Sequence, residues 1–278
     1  MRNVTTVDIE QDRRRGVKPS SGPEGRRKAL LEYLLPVGSA QVDELANHFG
    51  VSRMTVHRDL KILEEQGIVR RVHGGVTVHS SSLVESTILY RSRLADAEKE
   101  AIARAAIEMV EPGQAIILDD STTVSRMAPL IVGCKPLTVI TNSLTVIDML
   151  KEAHGIETIC LGGHYNSRFN AFFGYLCEKT VSTLRANTLF MSTSTILGAV
   201  AYHQQEDVVR TKRALMEAVD RRVLLVDSSK FGITALIRLA GLTEFDTVIT
   251  DSGIPPAEAE LLRKSNVQLR IVDAAPVD

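Results

Sequence analysis

Seven short apolar runs past residue 95, set apart by stretches of helical period, leave the C-terminal two thirds of this chain few folds to choose from. The runs are QAIIL (114–118), LTVIT (137–141), ETICL (157–161), TLFMS (188–192), RVLLV (222–226), TVIT (247–250) and VQLRIV (267–272). Between them lie SLTVIDMLKEA (143–153), EDVVRTKRALMEAV (206–219) and PAEAELLRK (256–264), whose apolar residues return every three or four positions. A run too short for a helix, followed by a stretch too long for a strand and then repeated, is the signature of an α/β domain with a mostly parallel sheet.

The first 80 residues follow another rule. Residues 1–24 are rich in Arg, Gly, Pro and Ser and read as a disordered tail. RRKALLEYLL (26–35) has helical spacing and is expected to end before Pro36. VDELANHF (42–49) is a second, short helix stopped by Gly50, which suits a left-handed cap. Ser52 then caps a third helix running to Gly67. GIVRRVHGGVTVH predicts a hairpin with a Gly74–Gly75 turn. Three helices and a hairpin in this order describe a winged helix-turn-helix over 25–80. Residues 81–95 read as a linker and 96–278 as the α/β domain.

In the third helix, VSRMTVHRDLKIL, positions Met54, His57, Arg58 and Lys61 share one stripe, and Val56, Leu60 and Leu63 the opposite one. Such a helix enters the major groove with its first residues at the base edges. Arg53 and Arg58 suit guanine or phosphate, His57 a base edge, and Met54 and Thr55 a thymine methyl. Lys61, with Arg70, Arg71 and His73 of the hairpin, suits the phosphate backbone. The charge distribution agrees in sign: residues 1–80 carry 13 Lys and Arg against 10 Asp and Glu, and the rest 20 against 24.

In open α/β sheets ligands sit beyond the carboxyl ends of the strands. Four polar segments fall there: Asp119-Asp120-Ser121-Thr122-Thr123, Thr141-Asn142-Ser143, Gly162-Gly163, and Asp227-Ser228-Ser229-Lys230. Hydroxyls and backbone N–H groups before a helix suit an anion such as phosphate, and a lysine on the same rim adds charge.

The segment VDELANHFGVSRMTVHRDLKILEEQGIVRRVHGGV resembles the signature of the DeoR/GlpR family of bacterial transcriptional regulators. The likeness continues through KEAIARAA, LDDSTT, VITNSL, LGG, VRTKRA and VDSSKFG, covering roughly residues 26–275. It implies a repressor of a carbohydrate-catabolism operon, released from double-stranded DNA by a phosphorylated sugar. It also implies a C-terminal domain similar in fold to ribose-phosphate isomerase. By the same likeness Ser121, Thr122 and Thr123 hold the phosphate, Asp119, Lys212 and Lys230 face the phosphate or sugar hydroxyls, and Asn142, Gly162 and Gly163 line the pocket. The sequence departs from the family at His57, where an arginine is usual, and at Ser121, where glycine is.

The competing function is an isomerase with an added DNA-binding head. Isomerisation needs a base, normally a carboxylate, near the proton next to the carbonyl. Thr211 stands where the isomerases carry a glutamate, and Glu206 and Asp207 read as helix-capping residues, so no enzyme activity is expected. Cys134, Cys160 and Cys177 lack ligand spacing and read as reduced thiols, and His154, His164 and His203 show no metal pattern. His203 reads instead as a donor to a ligand hydroxyl. No cofactor beyond the sugar phosphate is expected. Neither a secretory segment nor a spanning run is read in the sequence, so the expectation is a cytoplasmic homodimer or homotetramer without membrane contact.

Overall fold

The computed structural model describes residues 22–65, 69–78, 88–265 and 267–274. They divide into two units, up to Ser81 and from Ser82 onward. Residues 1–21, residues 66–68, where the third helix is expected to end, and the segment 79–87 lie outside the described residues.

In the first unit, α1 (Pro23–Val37), α2 (Val42–Phe49) and α3 (Arg53–Glu65) pack on a small sheet. Helix α1 does not end before Pro36 but carries it in its last turn and stops at Gly38, whose N–H reaches Leu34 O at 2.9 Å. A proline this near the end removes one ladder bond with no further turn to disrupt. Gly50 takes the left-handed conformation expected of it (φ 62°). Ser52 Oγ accepts the Thr55 N–H at 3.2 Å, which caps α3. Leu30, Leu34, Leu45, Val56, Leu60 and Leu63 form the core between the three helices.

The hairpin is β2 (Val69–Val72) and β3 (Gly75–Val78), and its turn residues are His73 and Gly74 rather than two glycines. Gly75 pairs with Val72 inside the ladder. A Cβ there would stand 2.6 Å from the Ala40 carbonyl, because a third strand, β1 (Ser39–Gln41), lies alongside. The glycine pair is thus one turn residue and one close approach.

In the second unit the seven apolar runs become β4 (Ala115–Leu118), β5 (Leu137–Thr141), β6 (Ile156–Cys160), β9 (Ala186–Met191), β12 (Val219–Leu225), β14 (Thr247–Asp251) and β15 (Leu269–Val272). They form one sheet, ordered β15-β14-β12-β9-β4-β5-β6, with every pair parallel. Side chains alternate between its faces, and both faces are covered, as a parallel sheet requires. Ile116, Leu118, Val139, Phe190, Val223 and Leu225 meet α5 (Asp96–Ile107), α6 (Ala128–Ile131) and α7 (Leu144–Leu150). Ile117, Ile140, Leu189, Met191 and Leu224 meet α8 (Tyr175–Val181), α9 (Glu206–Glu217) and α10 (Pro256–Lys264).

Five short strands were not expected in this unit. β7 (His164–Asn166) and β8 (Ala171–Phe173) form a hairpin, and β10 (Thr195–Leu197), β11 (Val200–His203) and β13 (Ile237–Gly241) an antiparallel sheet. Part of the expected linker is also structured. Helix α4 (Ile88–Arg91) and residues 92–95 belong to the second unit, with Ile88 N–H on the Arg168 carbonyl at 2.9 Å. The segment is too short to announce itself by period.

Candidate nucleic-acid interface and effector site

Helix α3 turns Val56, Asp59, Leu60 and Leu63 inward. Asp59, the one charged residue on that face, is nearly sealed and accepts the Arg26 guanidinium (Nε–Oδ2 2.5 Å), with Arg27 at 3.7 Å. A buried carboxylate survives because these two cations neutralise it. The outward face carries Arg53, Met54, His57, Arg58 and Lys61, all exposed, with Thr55 half-buried beside them.

These residues differ in how far they are already engaged. Arg53 is paired with Asp43 (Nε–Oδ1 2.5 Å), and Lys61 lies 3.9 Å from Glu65. Arg71 is held twice by Glu64, through its Nε (2.7 Å) and its backbone N–H (3.0 Å). The Arg71 backbone and guanidinium bonds hold the Glu64 carboxyl below its usual range. Arg71 therefore ties the wing to α3 before it meets any phosphate. Arg58, His57, Arg70 and His73 are exposed and have no ion-pair partner among the described residues.

In the second unit the strand order reverses between β4 and β9: β4, β5 and β6 step one way, and β9, β12, β14 and β15 the other. At such a switch point the loops leaving the two strands diverge and open a crevice. A cavity of about 30 Å3 lies there, lined by Ser121, Thr122 and Thr123 after β4, Ser192, Thr193 and Ser194 after β9, and Lys230 after β12. Asp120, Lys212, His203, Lys99 and Arg91 complete its wall.

The charges at the wall hold one another. Lys212, from α9, is buried and pairs with Asp119 (2.5 Å) and Asp120 (3.2 Å). Burial disfavours its charge, but Asp119 and then Asp120 outweigh that and raise its pKa. For Asp120, burial is opposed by Lys212, Arg91 and His203, which hold the carboxyl below its usual range. Asp120 Oδ1 is off the hydrogen-bonding direction of that ammonium, so the acceptor is unspent. Lys99, from α5, is 2 % exposed and donates to the Arg91 carbonyl. Burial pushes its pKa down to about 7; Asp227 opposes this, and Lys230, Arg91 and Arg126 reinforce it. The N–H groups of Thr122 and Thr123 meet no acceptor among the described residues. His203 Nδ1 accepts the Gln205 N–H at 3.1 Å, which assigns the proton of the neutral ring to Nε2.

Five of the eleven expected effector residues thus reach the cavity: Ser121, Thr122, Thr123, Lys212 and Lys230. The other six stand behind it. Asp119 is spent on Ser121 N–H and Ser192 N–H (2.9 Å each) and on Lys212, so its neighbour Asp120 faces the cavity instead. Thr141 donates to the Leu118 carbonyl (2.7 Å), and Asn142 Nδ2 to the Phe172 carbonyl (3.0 Å). Gly163 is required by packing, since a Cβ would stand 2.6 Å from the Phe173 carbonyl, and Gly162 does not reach the wall. Asp227 accepts from both the N–H and the hydroxyl of Ser229. Arg91, Lys99, Asp120 and the Ser192–Ser194 loop were missed. For Asp120 and the serine loop the signal was available, because each lies within two residues of the end of an apolar run.

A winged helix-turn-helix head joined to an α/β domain with a polar pocket at its switch point defines a regulator with a sensor domain. The DeoR-like helix-turn-helix domain matches residues 26–82, and the DeoR C terminal sensor domain matches 95–252. The chain belongs to the DeoR family. It is 34% identical to an L-fucose operon activator of Haemophilus influenzae, over 83% of this chain and 92% of that protein. It is 32% identical to a glycerol-3-phosphate regulon repressor of Escherichia coli K12, over 88% of this chain and 98% of that protein. A ribose 5-phosphate isomerase of Methanocaldococcus jannaschii aligns at 13% identity and a TM-score of 0.37. That alignment covers 49% of this chain and spans about half of the isomerase. The family and these two relatives are transcriptional regulators rather than enzymes. No helix among the described residues is long and apolar enough to cross a membrane.

Proposed function

We propose that this protein represses a carbohydrate-catabolism operon and leaves its operator when a phosphorylated sugar binds the pocket between β4, β9 and β12. The observation that carries the reading is the pocket's composition: Arg91, Lys99, Lys212 and Lys230 gather round nine-tenths-buried hydroxyls at Ser121, Thr122 and Thr123. Cations and hydroxyls converging at a sheet's switch point suit a phosphate, and Asp120, His203 and the Ser192–Ser194 loop suit sugar hydroxyls. Asp120, the only carboxylate at the wall among the described residues, is held weakly basic by Lys212, which favours sensing over proton abstraction. Thr211 is sealed and accepts the Gly174 N–H (3.4 Å), so it offers no base either.

On the DNA side, Arg58 and His57 read base edges while Arg70 and His73 hold phosphates. Arg53, Lys61 and Arg71 join after giving up their present partners, and Met54 and Thr55 meet a thymine methyl. Two heads of a homodimer or homotetramer take half-sites about one helical turn, or a multiple, apart. The protein then works in the cytoplasm, with the DNA.

The test is a thermal-shift screen with paired sugars and sugar phosphates, followed by retardation of promoter fragments. One phosphorylated sugar is expected to stabilise the protein and release DNA, while its unphosphorylated partner does neither. Thr122→Ala with Lys230→Ala should bind DNA normally and ignore the effector; release at wild-type effector concentrations would place the pocket elsewhere. Tighter DNA binding with effector would make the protein an activator, as the H. influenzae relative is named.

A further inference from the structure

The segment Ile88–Leu94 is the part of the second unit through which the chain, by way of residues 79–87, leads to the DNA-binding head. It crosses the effector site as a strap, and its own side-chain anchors are the groups that face the cavity. The Arg91 carbonyl accepts from Lys99 Nζ and from Thr122 Oγ1 (3.4 Å). The next carbonyl, Ser92, accepts from Arg126 Nη2 (2.7 Å). Lys99 and Thr122 line the cavity, and Arg126 follows the same loop into its 3-10 turn. On the strap's other side lies a cleft of about 340 Å3, lined in part by Ile88, Ser92, Thr122 and Arg126. Side chains of the Ser121–Thr123 loop and of Lys99 and Arg126 thus hold the strap by its carbonyls.

A carbonyl oxygen leaves the charge of a buried ammonium uncompensated, and an anionic acceptor compensates it. Lys99 also sits among Lys230, Arg91 and Arg126, opposed by Asp227, and an anion at the Ser121–Thr123 loop relieves part of that repulsion. We propose that Lys99 is an anion-binding residue of the effector site and that the Arg91 carbonyl holds the anion's place in the effector-free protein. Phosphate at the loop takes Lys99 Nζ and Thr122 Oγ1 for itself, the carbonyl loses both donors, and the strap leading to the DNA-binding head comes free. The inference rests on the phosphate reading of the pocket and adds the step by which occupancy leaves it.

Hydrogen–deuterium exchange of the full chain tests it, with saturating inorganic phosphate as the probe and chloride at matched ionic strength as the control. The amides of 121–125 report occupancy and those of 88–94 the strap. Protection of 121–125 together with about tenfold faster exchange over 88–94 is expected. Protection of 121–125 with 88–94 unchanged or slowed overturns the strap and leaves the phosphate site standing. No protection of 121–125 overturns both. In Lys99→Met the strap should exchange fast without phosphate and respond little to it. A strap protected in that variant as in the wild type would overturn the role of Lys99. Should Lys99→Met fail to fold, the wild-type comparison alone decides.

Discussion

The two units spend their charges in opposite ways. On the outer face of α3 and the wing, Arg58, Arg70, His57 and His73 stand exposed and unpaired among the described residues. Around the pocket, Lys212, Asp119 and Asp120 are sealed and ion-paired with one another. A polyanion meets these four exposed residues by releasing counterions, with no ion pair of theirs to break. A ligand reaching the second must replace bonds that already exist. One surface is ready at rest; the other responds only to something able to rearrange it.

The sharpest way to break this contrast is Lys212→Met. It strands two buried carboxylates, and the loss of one partner of a buried pair costs about 3–5 kcal/mol. Thermal or urea unfolding should show that loss, and a change under 1 kcal/mol would mean that water reaches the pair. Next in size is Arg58→Ala, which should leave unfolding unchanged and weaken operator binding by about 1–3 kcal/mol in retardation or footprinting assays. Normal footprints from this variant would remove Arg58 from the reading surface.

Lys99 gives a smaller, pH-dependent signal. Its folded pKa lies below the unfolded value, so between about 7 and 10.5 the unfolded chain holds more protons. Stability from this group then rises with pH across that window, by up to about 1.4 kcal/mol per unit, and the burial penalty is complete below it. Melting curves of wild type and Lys99→Met should diverge in that direction; parallel curves would show that Lys99 titrates as an ordinary lysine. The smallest effect belongs to Arg71→Ala. This removes an exposed pair with Glu64, worth about 0.2–1 kcal/mol of stability, and should reduce DNA binding less than Arg58→Ala does. Equal losses of binding would erase the distinction between engaged and unengaged arginines.

How much of this was legible in the sequence follows from the range of the forces involved. The seven strands of the parallel sheet are each four to seven residues long, and the five inner ones bury most of their residues, so a run of apolar residues announces them. The strands missed, β1, β7, β8, β10, β11 and β13, are three to five residues long, and all but β8 mix polar with apolar positions. Their pairing is set by neighbours distant in the chain. The Ser121–Thr123 loop and Lys230 were readable because they follow strand ends. Lys99 was not: in KEAIARAA it looks like a solvated helix position, and only its contact with the Arg91 carbonyl, eight residues back, takes it out of water. Asp119 and Asp120 were misassigned because adjacent residues at a strand end point to different sides, and one residue decides which meets the cavity.

The carboxylate of Asp59 fixes the aim of α3 from behind, through Arg26 and Arg27, on the side of the helix away from its exposed stripe. Whatever letters stand at positions 53, 54, 57 and 58 take no part in that fastening. A lineage built on this scaffold is free to rewrite its operator preference one side chain at a time without renegotiating the fold beneath, and an engineer who wishes to retarget it should leave the fastening alone and edit the face.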